Sequence, residues 1–209
     1  MYNFTVPMAL MDYVPVIFFG ITAVFLLRDL YNKMFKGAYA LLAAGCVNVF
    51  MAGFCKATWK LLYAANICDF VALEKMFMPV NSLGLLFVGL SLIGMLIWKR
   101  KGAALSVAPV AFTSSMPFIM MMVVGLGGLC TGLSVLAAKM KKGPVMALFI
   151  LSFVCAMAMG YMSSRDSTLA WVNWAEQSIN TVSQLCLMLG TITLHKAGLA
   201  DYRFKEANA

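Results

Sequence analysis

Long uncharged apolar stretches alternate with short basic clusters along the whole chain. Seven such stretches follow one another, and the fourth is the shortest. A helix needs roughly 17–25 predominantly apolar residues to cross a bilayer, and most of the stretches supply them. The pattern therefore predicts an all-α polytopic membrane protein with seven transmembrane helices. The predicted spans are residues 8–27, 38–58, 76–98, 102–115, 117–138, 144–162 and 169–194.

The number of crossings depends on the uncharged stretch between Lys101 and Lys139. If this stretch forms one long helix, the protein has six spans. If the helix is broken near Ser114-Ser115-Met116-Pro117, the protein has seven. Cytoplasmic loops carry an excess of Lys and Arg. With seven spans and the N-terminus outside, twelve of the sixteen basic residues fall on the cytoplasmic side, whereas six spans divide them almost evenly. We therefore predict seven crossings, an outer N-terminus and a cytoplasmic C-terminus.

A weak internal repeat accompanies this topology. Lys33-Met34-Phe35-Lys36-Gly37 resembles Lys139-Met140-Lys141-Lys142-Gly143, and residues 70–75 align with residues 172–177 at the start of a third span. The repeat predicts two three-helix units joined by a single linker helix, so that the two units run parallel about an axis along the membrane normal. The predicted units are residues 1–101, a linker at 102–116, residues 117–198 and a cytoplasmic tail at 199–209.

This three-plus-one-plus-three topology with an outer N-terminus resembles that of the SWEET and PQ-loop proteins, the PnuC vitamin transporters and the TRIC cation channels. The resemblance lies in the architecture of the whole chain. Pro15-Val16 and Pro117-Phe118 stand where the PQ-loop family has a Pro-Gln pair, and Gly125-Leu126-Gly127-Gly128 only approximates the glycine triplet of the TRIC family. The resemblance therefore transfers no site residue to this chain.

Composition narrows the class of protein further. The chain is 63% hydrophobic and 11% charged, with a mean hydropathy of +0.88, whereas soluble domains carry roughly a quarter charged residues. The net charge of +8 comes from clusters at the ends of apolar stretches, which favours topology signals over a nucleic-acid surface. A single histidine and the lack of a CxxC pair leave too few ligands for zinc or haem, and no Ser-His-Asp set can form. We expect no cofactor, metal or nucleic-acid partner.

Polar residues inside the predicted spans concentrate in the outer half of the membrane. Glu176, Asn180, Ser183 and Gln184 recur at helical spacing and share one face of span seven. One interpretation is an outward-open polar vestibule, because amides and carboxylates facing lipid are costly. The alternative is hydrogen bonding that holds the helices together. The candidate substrate-binding residues are Asp12, Asn48, Lys56, Asn81, Glu176, Asn180 and Gln184.

Lys56 has two interpretations: its side chain can extend outward to the membrane surface, or it can pair with Asp12, Glu74 or Glu176 inside the vestibule. In the second case it could hold an anionic group. Four further charged residues are expected on a solvated outer rim, namely Lys60, Asp69, Glu74 and Lys75. Three tryptophans are expected in an interfacial belt, or alternatively as stacking walls for a flat ligand, namely Trp59, Trp171 and Trp174.

The sequence favours a small transporter or facilitator of the plasma membrane, with a small polar or charged solute as substrate. A second possibility is a membrane-embedded enzyme that acts on lipid through Glu74, Glu176 or Asp12 as acid or base. A third is a ligand-binding receptor or accessory subunit. The bilayer is an expected partner in each case, and the glycine cluster at residues 125–128 leaves a homo-oligomer open.

Overall fold

The computed structural model describes residues 4–97, 116–162 and 170–202. Within these ranges the chain forms six long helices and one short helix, and no β-strand, which confirms the all-α prediction. The helices are α1 (Val6–Met11), α2 (Tyr13–Leu30), α3 (Lys36–Ala64), α4 (Val71–Ile97), α5 (Met116–Lys139), α6 (Gly143–Met162) and α7 (Ala170–Lys196).

Five of these elements are long and apolar enough to cross a membrane: α1 with α2 as one 25-residue unit, α3, α4, α5 and α6. They coincide with predicted spans one, two, three, five and six. Helix α7 coincides with span seven and is 27 residues long, but it is more polar and does not belong to this set. Span four and the linker at 102–116 lie outside the described residues except for Met116, as do residues 203–209 of the tail.

Three of the helices end in the same backbone motif. Asn66, Lys141 and Gly198 follow α3, α5 and α7 with left-handed φ angles of 54°, 57° and 85°. After each of them an amide bonds five residues back, for example from Leu199 to the Leu194 carbonyl at 3.0 Å. This C-terminal arrangement satisfies carbonyls that the end of a helix leaves without partners.

The long helices pack in a closed cycle, in which each contacts its chain neighbours and α7 returns to α2. The short α1 lies on α2 and α3. Fully buried leucines fill the contacts between the helices, and they include Leu26, Leu42, Leu92, Leu129 and Leu133. The many van der Waals contacts of these buried side chains hold neighbouring helices together.

The contact between α4 and α5 is parallel and unusually close. A Cβ atom added at Gly125 would lie 2.3 Å from the Leu85 carbonyl carbon, and one at Gly89 would lie 2.4 Å from the Gly125 carbonyl oxygen. Further along α5, a Cβ atom at Gly132 would lie 2.9 Å from the Leu92 side chain. Residue numbers therefore rise together along the two helices. It follows that the end of α4 and the start of α5 lie at opposite ends of the bundle.

Contacts at one end of the bundle give the same directions. His195 near the end of α7 bonds Asp29 near the end of α2. Just beyond α7, the backbone carbonyl of Tyr202 accepts a hydrogen bond from Lys33. The Tyr202 hydroxyl donates to the Lys139 carbonyl at 3.1 Å. The ends of α2, α5 and α7 thus meet. We call this the inner end and the opposite end the outer end, following the predicted orientation.

Candidate functional site

Asp12 lies at the outer end, at the break between α1 and α2. Its Oδ2 atom is 2.7 Å from the Lys60 ammonium of α3, and the two side chains are only 7% and 10% exposed. The Phe4 ring lies 5.1 Å from that ammonium. A pair this well buried avoids the cost that either charge would have alone. The other carboxylate oxygen, Oδ1, is buried and accepts no hydrogen bond from the described residues.

The prediction that Lys60 lies on a solvated rim is wrong. The residue is buried because α1 packs against α3 and brings Asp12 to the ammonium. The sequence gives little indication that Lys60 is buried, because nothing in the apolar pattern shows that span one is interrupted at Asp12. Asp69 is exposed, as the rim prediction requires.

The three tryptophans do not share one role. Trp59 is 2% exposed, its indole N–H donates to Asp69 Oδ1 at 2.9 Å, and its ring lies 5.8 Å from the Phe4 ring. The prediction that Trp59 belongs to a lipid-facing belt is therefore wrong. Trp171 and Trp174 are exposed, as belt residues would be.

Lys56 lies one turn before Lys60 on α3 and is half-buried. Its ammonium is 4.1 Å from the centroid of the Phe77 ring of α4, a cation–π contact. It is attracted by Asp12, Glu176 and Glu74 and repelled by Lys60. No carboxylate among the described residues lies within ion-pair distance of it. Acidic groups on three parts of the bundle thus attract Lys56, and none of the three lies within ion-pair distance of its ammonium.

Three polar side chains of α7 have two different environments: one bonds the neighbouring helix, and two have buried polar atoms without a bonding partner among the described residues. Ser183 is buried and donates to the Ser152 carbonyl of α6 at 2.8 Å, so this part of the face holds two helices together. The Thr181 hydroxyl and the Gln184 Oε1 atom are buried, and no described group bonds them. Buried polar atoms without partners are rare in folded proteins. They leave hydrogen-bonding capacity inside the bundle for water or a ligand.

The structure brings some of the predicted site residues together and leaves others apart. At the outer end, Lys56 interacts electrostatically with Asp12 and with Glu176. Asn81 is buried one turn beyond Phe77 on α4, and Asn48 packs against Gly84 within the α3–α4 contact. Asn180 and Gln184 are half-buried on α7. No hydrogen bond joins any two of the four amides in the described part of the chain.

Two buried amides of α7 escaped the sequence analysis, Asn173 and Gln177. With Thr181 and Gln184 they recur at spacings of four, four and three residues, which marks one helix face. This spacing could have identified Asn173 and Gln177. Glu176 and Asn180, which the sequence analysis followed instead, each immediately precede a residue of this row.

A second buried polar contact lies at the inner end and was also missed. The fully buried Asp29 carboxylate lies 2.8 and 3.0 Å from His195 Nδ1, and the Phe25 ring packs 4.7 Å from the imidazole. The pair joins α2 to α7. Asp29 stands beside Arg28, so in the sequence it resembled an ordinary charge at the end of a span.

A cavity of about 290 Å³ lies elsewhere, between α5 and α6, and is lined mainly by apolar side chains such as Met146, Ile150 and Phe153. It involves none of the predicted site residues. Among the described residues, no three His, Cys, Asp or Glu side chains come together as a metal site would require.

No protein-family model matches this chain, and comparison with curated proteins and with solved structures finds no similar protein. The resemblance to the SWEET, PnuC and TRIC families therefore remains one of predicted topology. The function has to be argued from the geometry of the bundle and its polar residues.

Proposed function

We propose that the protein is a seven-span transporter or facilitator of the plasma membrane that takes a small polar or charged solute through a vestibule at the outer end. The observation that carries the proposal is the set of charged and amide side chains inside the bundle, on the α1–α2 break, α3, α4 and α7. Ionisable groups within membrane helices are costly and commonly mark solute pathways. Here Lys56 and Glu176 attract each other without an ion-pair contact, and the Gln184 oxygen has no bonding partner among the described residues.

The crossing that brings the proposed number to seven is predicted span four, residues 102–115, which lies in the segment 98–115 between α4 and α5. Because α4 and α5 run parallel, this segment has to connect opposite ends of the bundle. As a helix, the whole segment would extend about 27 Å, of which the uncharged residues 102–115 contribute about 21 Å and the basic cluster Lys99-Arg100-Lys101 stays at the inner end. We therefore assign it the return crossing, with the N-terminus outside.

The helix contacts support two parallel three-helix units. Helices α2, α3 and α4 contact one another in the same order as α5, α6 and α7. The contacts between the units are α4 with α5 and α7 with α2, and a twofold rotation would exchange them. Both are contacts between parallel helices. Rocking of the units about these two contacts would expose the site alternately to each side, as in transporters built from repeats.

The test of transport is solute flux in proteoliposomes with a panel of small polar solutes and ions. We expect Glu176→Gln and Asn180→Ala to lower flux at least tenfold. Ser178→Ala is the matched control on α7 and should keep flux, because this exposed hydroxyl donates to the Trp174 carbonyl of its own helix and bonds no other described residue. Lipid hydrolysis without flux would instead support a membrane enzyme, and ligand binding without flux a receptor. Either result would overturn the proposal.

A further inference from the structure

The outer end holds charges of both signs that attract each other across a gap. Lys56 of α3 is drawn to Glu74 of α4 and to Glu176 of α7, yet neither carboxylate contacts its ammonium. All three side chains are half-buried. In a partly buried setting, opposite charges gain considerably from closing such a gap. A ligand that carries both charges would gain these attractions by bridging the gap.

Lys60 does not compete for this role. Its ammonium is buried against Asp12 at 2.7 Å and covered by the Phe4 ring. Lys56, by contrast, meets the face of Phe77, and no carboxylate of the described ranges lies within ion-pair distance of it. Of these two neighbouring lysines, only Lys56 is placed to receive an anionic group.

We propose that the vestibule selects a small zwitterion, with Lys56 receiving its carboxylate and Glu176, assisted by Glu74, receiving its ammonium group. This inference rests on the proposed transport function and names its substrate class. A lone anion at Lys56 would be repelled by the two glutamates, and a lone cation at the glutamates would be repelled by Lys56. A molecule that carries both charges satisfies both sides and closes the gap between α3 and α7.

This binding mode also joins the two units. Lys56 belongs to the first and Glu176 to the second, and α3 and α7 are separated in the helix cycle by α2. A zwitterion held between them would draw the outer ends of the units together. Substrate binding would then favour closure of the outer side, because the ligand binds the closed state better than the open one.

The experiment compares matched solutes that keep or lose one charge, in both equilibrium binding and proteoliposome uptake. The two sets are alanine, alaninamide and propionate, and phenylalanine, phenylalaninamide and 3-phenylpropionate. For at least one set, the zwitterion should bind and move about tenfold better than either partner, since a hydrogen bond to a charged group typically contributes that much or more.

Two variants test the assignment of the charges. Lys56→Gln should remove the preference for the zwitterion over the amide, whereas Glu176→Gln should remove the preference over the carboxylate without a positive charge. If either residue had only a structural role, its variant would lower the binding and uptake of all three solutes of a set together. Lys75→Gln on the exposed side of α4 and Asp201→Asn beyond α7 are the matched controls, and they should keep both preferences.

The outcomes separate the inference from the proposed function. Equal uptake of a zwitterion and its singly charged partner, or uptake of a neutral solute alone, would overturn the inference and leave transport standing. Binding of the zwitterion that depends on Lys56, without uptake of any solute, would support the inference and overturn transport. Neither binding nor uptake of any solute by monodisperse protein would overturn both.

Discussion

Gly125, in the close contact between α4 and α5, is the described glycine at which an added Cβ atom would lie nearest to another atom. In Gly125→Ala, the added Cβ atom would lie 2.3 Å from the Leu85 carbonyl carbon and 2.4 Å from the Leu86 amide nitrogen. Ordinary contact begins near 3.4 Å, so α5 has to move away by about 1 Å. The clashing atoms belong to the backbone, and no change of side-chain rotamer can relieve them.

The displacement separates α5 from α4 along their shared contact, where Gly132 packs on Leu92. Overpacking of a tight interior costs roughly 1–3 kcal/mol, and the backbone clash places this variant near 3 kcal/mol. For a chain of this size, 1 kcal/mol lowers the melting temperature by roughly 2–4 °C. We therefore expect Gly125→Ala to melt roughly 6–12 °C below the unchanged protein.

The matched control is Gly127→Ala on the same helix. A Cβ atom at this position would lie 3.7 Å from the Phe153 ring, which is ordinary contact, and alanine favours a helix by about 1 kcal/mol over glycine. Its melting temperature should stay unchanged or rise slightly. The assay is thermal unfolding in detergent, followed by the loss of the monodisperse peak. Equal melting of the two variants would refute the close parallel contact.

Three further predictions concern the buried polar groups. Asp12→Asn or Lys60→Met alone should lower stability by about 3 kcal/mol, whereas Asp12→Leu with Lys60→Met should restore most of the loss; a double-mutant cycle that shows no coupling would contradict the pair. His195→Ala should cost about 2 kcal/mol by the same thermal assay because it leaves Asp29 buried alone, and His195→Gln should cost less; equal losses would contradict this. Gln184→Leu should keep or raise the melting temperature and lower solute flux, whereas a loss of stability would indicate that Gln184 holds helices together.

Much of the fold follows from the apolar pattern. The bounds of α3, α5 and α6 agree with predicted spans two, five and six to within a few residues at most ends, because uninterrupted apolar stretches have few alternatives in a membrane. The pattern could not reveal the break at Asp12 or the fact that α4 lies beside α5. Both depend on which helix lies beside which, and small residues such as Gly89 and Gly125 look alike wherever they pack.

The sequence predicts a polar region in the outer half of the membrane, but it does not predict which of its side chains pair. Asp12, Lys56 and Glu176 are expected from the sequence in the outer half of the membrane, and Lys56 interacts electrostatically with both carboxylates. The choice between Lys56 and Lys60 as the partner of Asp12 depended on α1 folding over α3, which no periodicity encodes. Asp29 and His195 were missed for a similar reason, since their contact requires α7 to return beside α2.

Cysteine labelling from outside the cell distinguishes two like-oriented units joined by one return crossing from a bundle without that crossing. The exposed Cys68 between α3 and α4 is the outer reference, and Lys33→Cys, Lys101→Cys and Lys142→Cys are introduced singly into a chain that lacks the other cysteines. We predict that an impermeant maleimide labels Cys68 in intact cells and reaches the three introduced cysteines only after permeabilisation. Labelling of Lys142→Cys from outside, with Lys101→Cys protected, would contradict the account.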